Sequence, residues 1–123
     1  MIKSQPPHII SSNLTETSAT WRLRIDETLP YFNGHFRNQP VLPGVTQLDW
    51  AIQLGCAHFQ YPIHATTLEV LKFQNVITPG IEVNLSITLD TKKHKLSFVY
   101  SNQQTRFSSG RIVISTQRPL IAS

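Results

Sequence analysis

The stretch from Leu29 to Gln60 reads LPYFNGHFRNQPVLPGVTQLDWAIQLGCAHFQ. As far as Pro43 it contains too many breaker residues for regular structure, and we predict a loop. From Gly44 onward, apolar residues recur every three or four positions, which predicts one helix with a single buried face. The residues of that face are Val45, Leu48, Ile52, Cys56 and Phe59.

An acidic residue, Asp49, falls on this apolar face. A buried carboxylate is unfavourable unless it is paired, hydrogen-bonded or protonated. His35 lies fourteen residues earlier, in the breaker-rich loop. Together they would make an acid–base pair beside the anion-binding amides of a helix N-terminus. Spacing alone leaves two alternatives open: Asp49 as a boundary residue that faces water, and His35 as an ordinary surface histidine.

The composition predicts a single domain over residues 1–123, with 40% hydrophobic residues and no apolar run long enough to span a bilayer. The N-terminus lacks the pattern of a signal peptide, and one cysteine, Cys56, cannot form an internal disulfide. We therefore expect a cytoplasmic protein in which Cys56 is a small core residue. The 11 basic residues are scattered, which argues against nucleic-acid binding, while the net charge of +4 suits an acidic protein partner.

The rest of the chain reads as sheet. Alternating apolar residues predict strands at 19–27, 66–73, 81–89, 95–101 and 105–116, with a weaker strand around Ile9 and Ile10. We expect a bulge between Val70 and Leu71, and a bulge or close backbone approach at Gly110. Short turns between strands give an antiparallel sheet, and the single helix must pack on its apolar face. The predicted fold class is α+β, with the sheet wrapped around one central helix.

The central stretch resembles the 3-hydroxyacyl-[acyl-carrier-protein] dehydratases. The matching residues are Tyr31 to Phe36 (YFNGHF), Pro40 to Val45 (PVLPGV), Asp49 and Gln53, with a weaker match at Leu71 to Phe73 and at Pro79-Gly80. The resemblance implies the hotdog fold, an antiparallel sheet around one long helix. The short chain and the aspartate are also similar to the dehydratases of aryl-polyene gene clusters.

The resemblance implies a role for each matching residue. His35 would be the base that removes the C2 proton, and Asp49, kept protonated by its apolar setting, would be the acid for the departing hydroxyl. Gln53 would hydrogen-bond the Asp49 carboxyl group. The Gly44 amide, with Val45 beside it, would bind the thioester oxygen at the helix N-terminus. The resemblance implies no metal or other cofactor. The substrate is carried on the phosphopantetheine of acyl carrier protein.

The resemblance also implies partners. The family forms its site across a dimer, with the histidine from one subunit and the acid from the other; this chain would pair with itself or with a related hotdog subunit. Acyl carrier protein is acidic, and four basic residues could form its docking surface: Arg37, Lys72, Arg106 and Arg111. Each of them could equally be an ordinary outward-facing residue.

Two departures concern the substrate more than the reaction. Arg37-Asn38 stands where the family commonly has Pro-Gly, and Trp50 stands where a small residue is usual. Trp50 could narrow the acyl tunnel or pack at the dimer seam. Two other functions stay open: a hotdog acyl thioesterase, and a non-catalytic hotdog subunit that supports a paired dehydratase.

Overall fold

The computed structural model describes residues 5–32 and 40–115. Six strands form one antiparallel sheet in the order β1-β2-β4-β5-β6-β3, so that β1 and β3 are its two edges. One helix, α1, and a short 3-10 turn at Pro30–Phe32 precede β3. The strands and helix in chain order are β1 His8–Leu14, β2 Ser18–Arg24, α1 Gly44–Phe59, β3 Ala65–Phe73, β4 Glu82–Asp90, β5 Lys95–Ser101 and β6 Arg106–Ile114.

One face of the sheet is apolar because buried and outward-facing residues alternate along the central strands. In β4 the buried residues are Val83, Leu85 and Ile87, and β2 and β5 follow the same pattern. α1 packs on this face through Trp50, Ile52 and Cys56, which belong to the same core cluster. Each large apolar side chain buried in this way contributes about 1.5–3 kcal/mol. The predicted α+β class is confirmed, and the arrangement is the hotdog fold.

The first strand differs from its prediction. β1 covers seven residues rather than a short step around Ile9, and every one of them is exposed. It is an edge strand that pairs with β2 alone, and neither of its sides is covered. A strand of this kind leaves no alternation in the sequence from which its length could be predicted.

Two local predictions for β3 and β6 have different outcomes. The register between these strands shifts between Leu68 and Val70, slightly before the predicted position at Val70 and Leu71. The close backbone approach at Gly110 is confirmed, because a Cβ there would lie 2.5 Å from Cε2 of Phe98. Only glycine allows the Phe98 ring to lie against β6 at this point.

The prediction of one buried helix face is wrong at Val45, whose side chain is 65% exposed. Leu48 and Phe59 are only half-buried, whereas Ile52 and Cys56 are buried as expected. Further buried residues of α1 lie outside the predicted face, namely Thr46, Gln47, Trp50, Ala51 and Gly55. The physical reason is that the sheet surrounds the body of the helix, while Val45 lies in its first turn near the open end.

Candidate active site

The N-terminus of α1 has no side-chain cap. Pro43 precedes the helix in an extended conformation, and its carbonyl accepts the N–H groups of Thr46 and Gln47, each at 3.1 Å. The N–H groups of Gly44 and Val45 come before these first helical hydrogen bonds and have no acceptor within the helix. They also lie at the positive end of the helix dipole. This end of α1 can therefore bind a negatively charged or polarised oxygen.

A cavity of about 560 Å³ opens beside this N-terminus. It is lined by residues 41–44 of the preceding loop, by Gln47 of α1, and by residues 73–76 at the end of β3. Most of these side chains are apolar, with the amides of Gln47, Gln74 and Asn75 among them. A pocket of this size and polarity suits an elongated apolar ligand with a few polar atoms.

Phe73 forms the wall of the cavity over the start of the helix. A Cβ at Gly44 would lie only 2.5 Å from Cζ of Phe73, so the ring rests directly on the glycine backbone. The Phe73 side chain is itself 53% exposed, which leaves its ring free to move outward. Glycine at position 44 thus allows an aromatic wall to stand next to the first amides of the helix.

Asp49 is buried one turn further along α1, with 3% of its surface exposed. This burial rules out the alternative in which the side chain turns to water. Tyr100 is close enough to sense this group: burial raises the pKa of Tyr100 well above its ordinary value, and a negative charge on Asp49 raises it further. The sequence therefore located a true buried acid.

A polar network that the sequence analysis missed surrounds Gln47, which is 3% exposed. Its Nε2 donates to the carbonyl of Leu42 at 3.1 Å, and its Oε1 accepts the hydroxyl of Ser108 at 2.6 Å. Its backbone carbonyl accepts the hydroxyl of Tyr100 at 2.7 Å. Tyr100 and Ser108 lie 53 and 61 residues away in sequence, so no local pattern could have connected them. The one local signal was an amide side chain two positions before Asp49.

Trp50 packs inside its own chain. It is fully buried, and its indole Nε1 donates to the carbonyl of Gln5 at 2.7 Å. It is not among the residues that line the cavity beside Gly44. Packing at the dimer seam is not what the structure shows, because Trp50 packs in the core and bonds the N-terminal segment of its own chain.

The remaining predicted site residues are placed as follows. His35 and Arg37 lie outside the described residues, and their roles stay predictions. Gln53 is half-buried one turn after Asp49, and among the described contacts no hydrogen bond joins its amide to that carboxyl group. Its predicted role is untested.

The basic residues divide between two places. Lys72 and Arg111 lie on the outer face of the sheet, on either side of a small cleft of about 190 Å³ that Ser97 and Ser109 help to line. Arg106 is exposed at the start of β6, and its carbonyl accepts the side-chain amide of Asn75 at the cavity rim. Among these three residues, Arg106 is the one that hydrogen-bonds a residue lining this cavity, Asn75.

Two absences concern the described residues, 5–32 and 40–115. Within these ranges, no three His, Cys, Asp or Glu side chains come together in a way that could hold a metal ion. The same ranges contain no helix with the length and apolar character needed to cross a membrane.

Comparison with known proteins identifies the family. The sequence model described as "ApeI-like: ApeI dehydratase" matches residues 11–111, which include the whole of α1 and the cavity. The chain belongs to the ApeI-like dehydratase family. The dehydratase resemblance of the central stretch is confirmed by this match.

Two solved structures share the fold of this ApeI-like chain and about a third of its sequence. The dehydratase heterocomplex ApeI:P from Xenorhabdus doucetiae contains a chain that is 35% identical with a TM-score of 0.83, and the alignment covers 89% of this chain and 98% of that one. An uncharacterized protein from Erwinia carotovora subsp. atroseptica is 30% identical with a TM-score of 0.78, covering 95% and 99% of the two chains.

Curated relatives are more distant. A 3-hydroxyacyl-[acyl-carrier-protein] dehydratase FabZ from Sorangium cellulosum is 30% identical over 92 residues, which is 64% of this chain and 59% of that protein. The ApeI-like chain thus spans little more than half the length of the curated relatives it matches.

Proposed function

We propose that this chain is a hydro-lyase that removes water from a 3-hydroxyacyl chain on acyl carrier protein and yields the trans-2-enoyl chain. The observation that carries the proposal is the buried carboxyl group of Asp49 in a helix whose uncapped N-terminus opens onto an apolar cavity. The curated relatives are named as 3-hydroxyacyl-[acyl-carrier-protein] dehydratases, which supports the same reaction class.

The proposed reaction uses His35, Asp49 and the backbone amides of Gly44 and Val45. A ring nitrogen of His35 takes the C2 proton, and the electron pair of that C–H bond becomes the C2–C3 double bond. The C3–O bond breaks, and the hydroxyl leaves as water with a proton donated by Asp49. Negative charge gathers on the thioester oxygen during the step, and the amides of Gly44 and Val45 stabilise it.

The cavity agrees with an acyl substrate. Its volume of about 560 Å³ and mostly apolar lining suit a hydrocarbon chain whose polar thioester end points at Gly44. No cofactor enters the reaction apart from the phosphopantetheine arm that carries the substrate. We include in the proposal the aryl or polyene acyl chains that the resemblance to aryl-polyene dehydratases implies.

We also propose that the active unit is a dimer with a related hotdog subunit. β3 is an edge strand of the sheet, and it exposes Leu68, Val70, Leu71 and Phe73. An exposed apolar edge of this kind invites pairing with another strand. The similar ApeI chain was solved as a heterocomplex, which favours a related subunit over a second copy of the same chain. Native mass spectrometry of this chain alone and mixed with a related subunit would separate the two cases.

The carrier protein would dock at the Arg106 side of the cavity. Arg106 is exposed, and its backbone is bonded to Asn75 at the rim. We expect Arg106→Glu to raise KM severalfold for a carrier-bound substrate while leaving KM for a small thioester substrate unchanged, because electrostatic steering acts on the acidic carrier. Arg111→Glu, on the outer sheet face, is the matched control.

The experiment that tests the function is mass spectrometry of a 3-hydroxyacyl-carrier protein after incubation with the protein, alone and with a related subunit. Dehydration removes one water, about 18 Da, and Asp49→Asn and His35→Ala should each lower the rate by about 100-fold or more. Release of free carrier would instead identify a thioesterase. No mass change with any acyl chain, with or without a related subunit, would support a non-catalytic role.

A further inference from the structure

The uncapped N-terminus of α1 raises the question of what holds it in place. A helix normally fixes its first turn with a Ser, Thr, Asp or Asn cap that bonds the free N–H groups. Here the N-cap is Pro43, which has no side-chain donor or acceptor, and Gly44 at the start of the first turn lines the cavity. Something other than a cap must fix the direction of these amides.

Gln47 meets this need from the buried side of the first turn. Its amide nitrogen bonds the carbonyl of Leu42, the residue just before the N-cap, and so ties the loop to the helix. Its amide oxygen accepts from Ser108, which ties the same turn to β6. The Tyr100 hydroxyl on β5 bonds the Gln47 carbonyl and adds a third connection.

Leu42, the loop residue of this network, is also bonded to the segment that follows β3. The N–H of Leu42 donates to the carbonyl of Ile77 at 2.7 Å, so Leu42 is held by its amide on one side and by Gln47 on the other. Pro43 and Gly44 follow directly. The position of the Gly44 amide therefore depends on the hydrogen bonds that Gln47 and Leu42 make.

We propose that Gln47 is a positioning residue that aims the free amides of Gly44 and Val45 at the substrate oxygen in the cavity. It takes the place of a helix cap, and it does so without occupying the donors that the reaction needs. The proposal rests on the proposed function only for the identity of the oxygen. The mechanical part, that Gln47 holds residues 42–44 in position, is independent of it.

The network has the properties expected of a rigid support. Gln47 and Ser108 are both buried, and each of the two amide atoms of Gln47 has a partner. Fully satisfied buried polar networks restrict the arrangement of their surroundings more tightly than apolar contacts of the same size. Removing the amide would leave the loop attached, but with a wider range of positions for Gly44.

The first test is steady-state kinetics of Gln47→Met, which keeps the side-chain length and removes both hydrogen bonds. Misplacing a transition-state donor acts on kcat more than on ground-state binding, so we expect kcat to fall by about 10- to 100-fold with KM changed by less than about threefold. Ser108→Ala, which removes one bond of the network, should give a smaller loss in the same direction and guards against a Gln47 variant that does not fold.

A second readout needs no activity. Hydrogen exchange of the Leu42 amide, followed by NMR, should become faster in Gln47→Met than in the wild type. The Gly80 amide is the internal control, because it donates to Ile25 at the same distance of 2.7 Å and has no link to Gln47. Two tyrosine variants form a matched pair for the measurement of kcat. Tyr100→Phe removes the hydroxyl bond to Gln47, whereas Tyr61→Phe removes a hydroxyl bond to His94, beyond the other end of α1.

The outcomes separate this inference from the proposed function. If the wild type dehydrates and Gln47→Met keeps full kcat, or if Tyr61→Phe lowers kcat as much as Tyr100→Phe, the positioning role is wrong. Exchange at Leu42 that rises no more than exchange at Gly80 would overturn the mechanical part. If the wild type does not dehydrate, the proposed function fails, and the exchange data alone decide whether Gln47 holds the loop.

Discussion

The two ends of α1 are built in opposite ways. At the C-terminal end Gln60 adopts a left-handed conformation with φ of 62°, and the N–H of Tyr61 donates to the carbonyl of Cys56 at 2.9 Å. The side chain of His58 adds a bond to the carbonyl of Thr15 at 2.7 Å. At the N-terminal end the cap residue is a proline, and the first helical residue, Gly44, lines a cavity.

The contrast shows where the protein uses hydrogen bonds for folding and where it leaves them for a ligand. Helix ends have unsatisfied groups by construction, and most proteins satisfy them locally. Here the fold satisfies the carbonyl of Cys56 at the C-terminal end, whereas at the N-terminal end Gly44 lines the cavity and Gln47 fixes the first turn from its buried side.

The largest effect is expected from Gly44→Ala. The new methyl group would meet the Phe73 ring at 2.5 Å and force it away from the helix. We expect kcat/KM for dehydration to fall by about 100-fold, since small displacements at a reacting centre have effects of this size. The double variant Gly44→Ala with Phe73→Ala should recover part of the loss, because the ring is then no longer in the way.

Gly55→Ala is the matched control further along the same helix. Its Cβ would lie 2.9 Å from Cδ1 of Leu96, the movable end of a side chain. We expect a loss of about 1 kcal/mol in unfolding free energy from overpacking and no loss of activity. If both glycine variants lose activity equally, the difference between the two ends does not lie in the site.

Part of this site could be predicted from the sequence because its signals are local. The helix start at Gly44, the burial of Asp49 and the alternation of β4 each depend on residues within a few positions of one another. Periodicity captures relations of this kind. The motif around the helix then supplied the fold and the family.

The rest depends on distant residues or on surroundings that periodicity does not describe. The bonds from Tyr100 and Ser108 to Gln47 join three separate elements, and the exposure of Val45 depends on where the sheet ends. β1 gave little signal because an uncovered edge strand needs no alternation. The contact of Phe73 with Gly44 arises only when β3 crosses the start of the helix.

A smaller effect is expected when a cap is added at the N-terminal end with Pro43→Ser. The serine hydroxyl can accept an N–H of the first turn and would compete with the substrate oxygen, so we expect kcat/KM to fall by about tenfold. Stability should change by less than about 1 kcal/mol, since the cap offsets the lost rigidity of proline. Urea denaturation and kinetics on the same preparation measure both.

Pro62→Ser, just beyond the C-terminal end, is its control. It loses a proline without gaining a cap, so we expect a slight loss of stability and unchanged kinetics. Full activity in Pro43→Ser would mean that the first-turn amides are not used in the reaction.

Tyr100 provides a pH test of the buried network. Burial and the charge of Asp49 raise its pKa in the folded state, so its contribution to stability is fully present below about pH 10 and is lost as the pH rises toward the folded value. Such a group changes the unfolding free energy by at most about 1.4 kcal/mol per pH unit. Urea midpoints between pH 9 and pH 11 (about the usual tyrosine range) should fall less steeply in Tyr100→Phe than in the wild type. Equal slopes would show that Tyr100 ionises as easily folded as unfolded.

The smallest effect is expected at the C-terminal end, from Gln60→Gly. Gln60 holds a left-handed conformation that a side chain disfavours, and glycine adopts it without that strain. Because glycine also gains freedom in the unfolded chain, the net gain in unfolding free energy should be about 0.5 kcal/mol. Activity should not change, since no residue of this end of α1 lines the cavity. A change in kcat would show instead that the two ends of the helix are coupled, and that the Gln47 network does not isolate the N-terminus from the rest of α1.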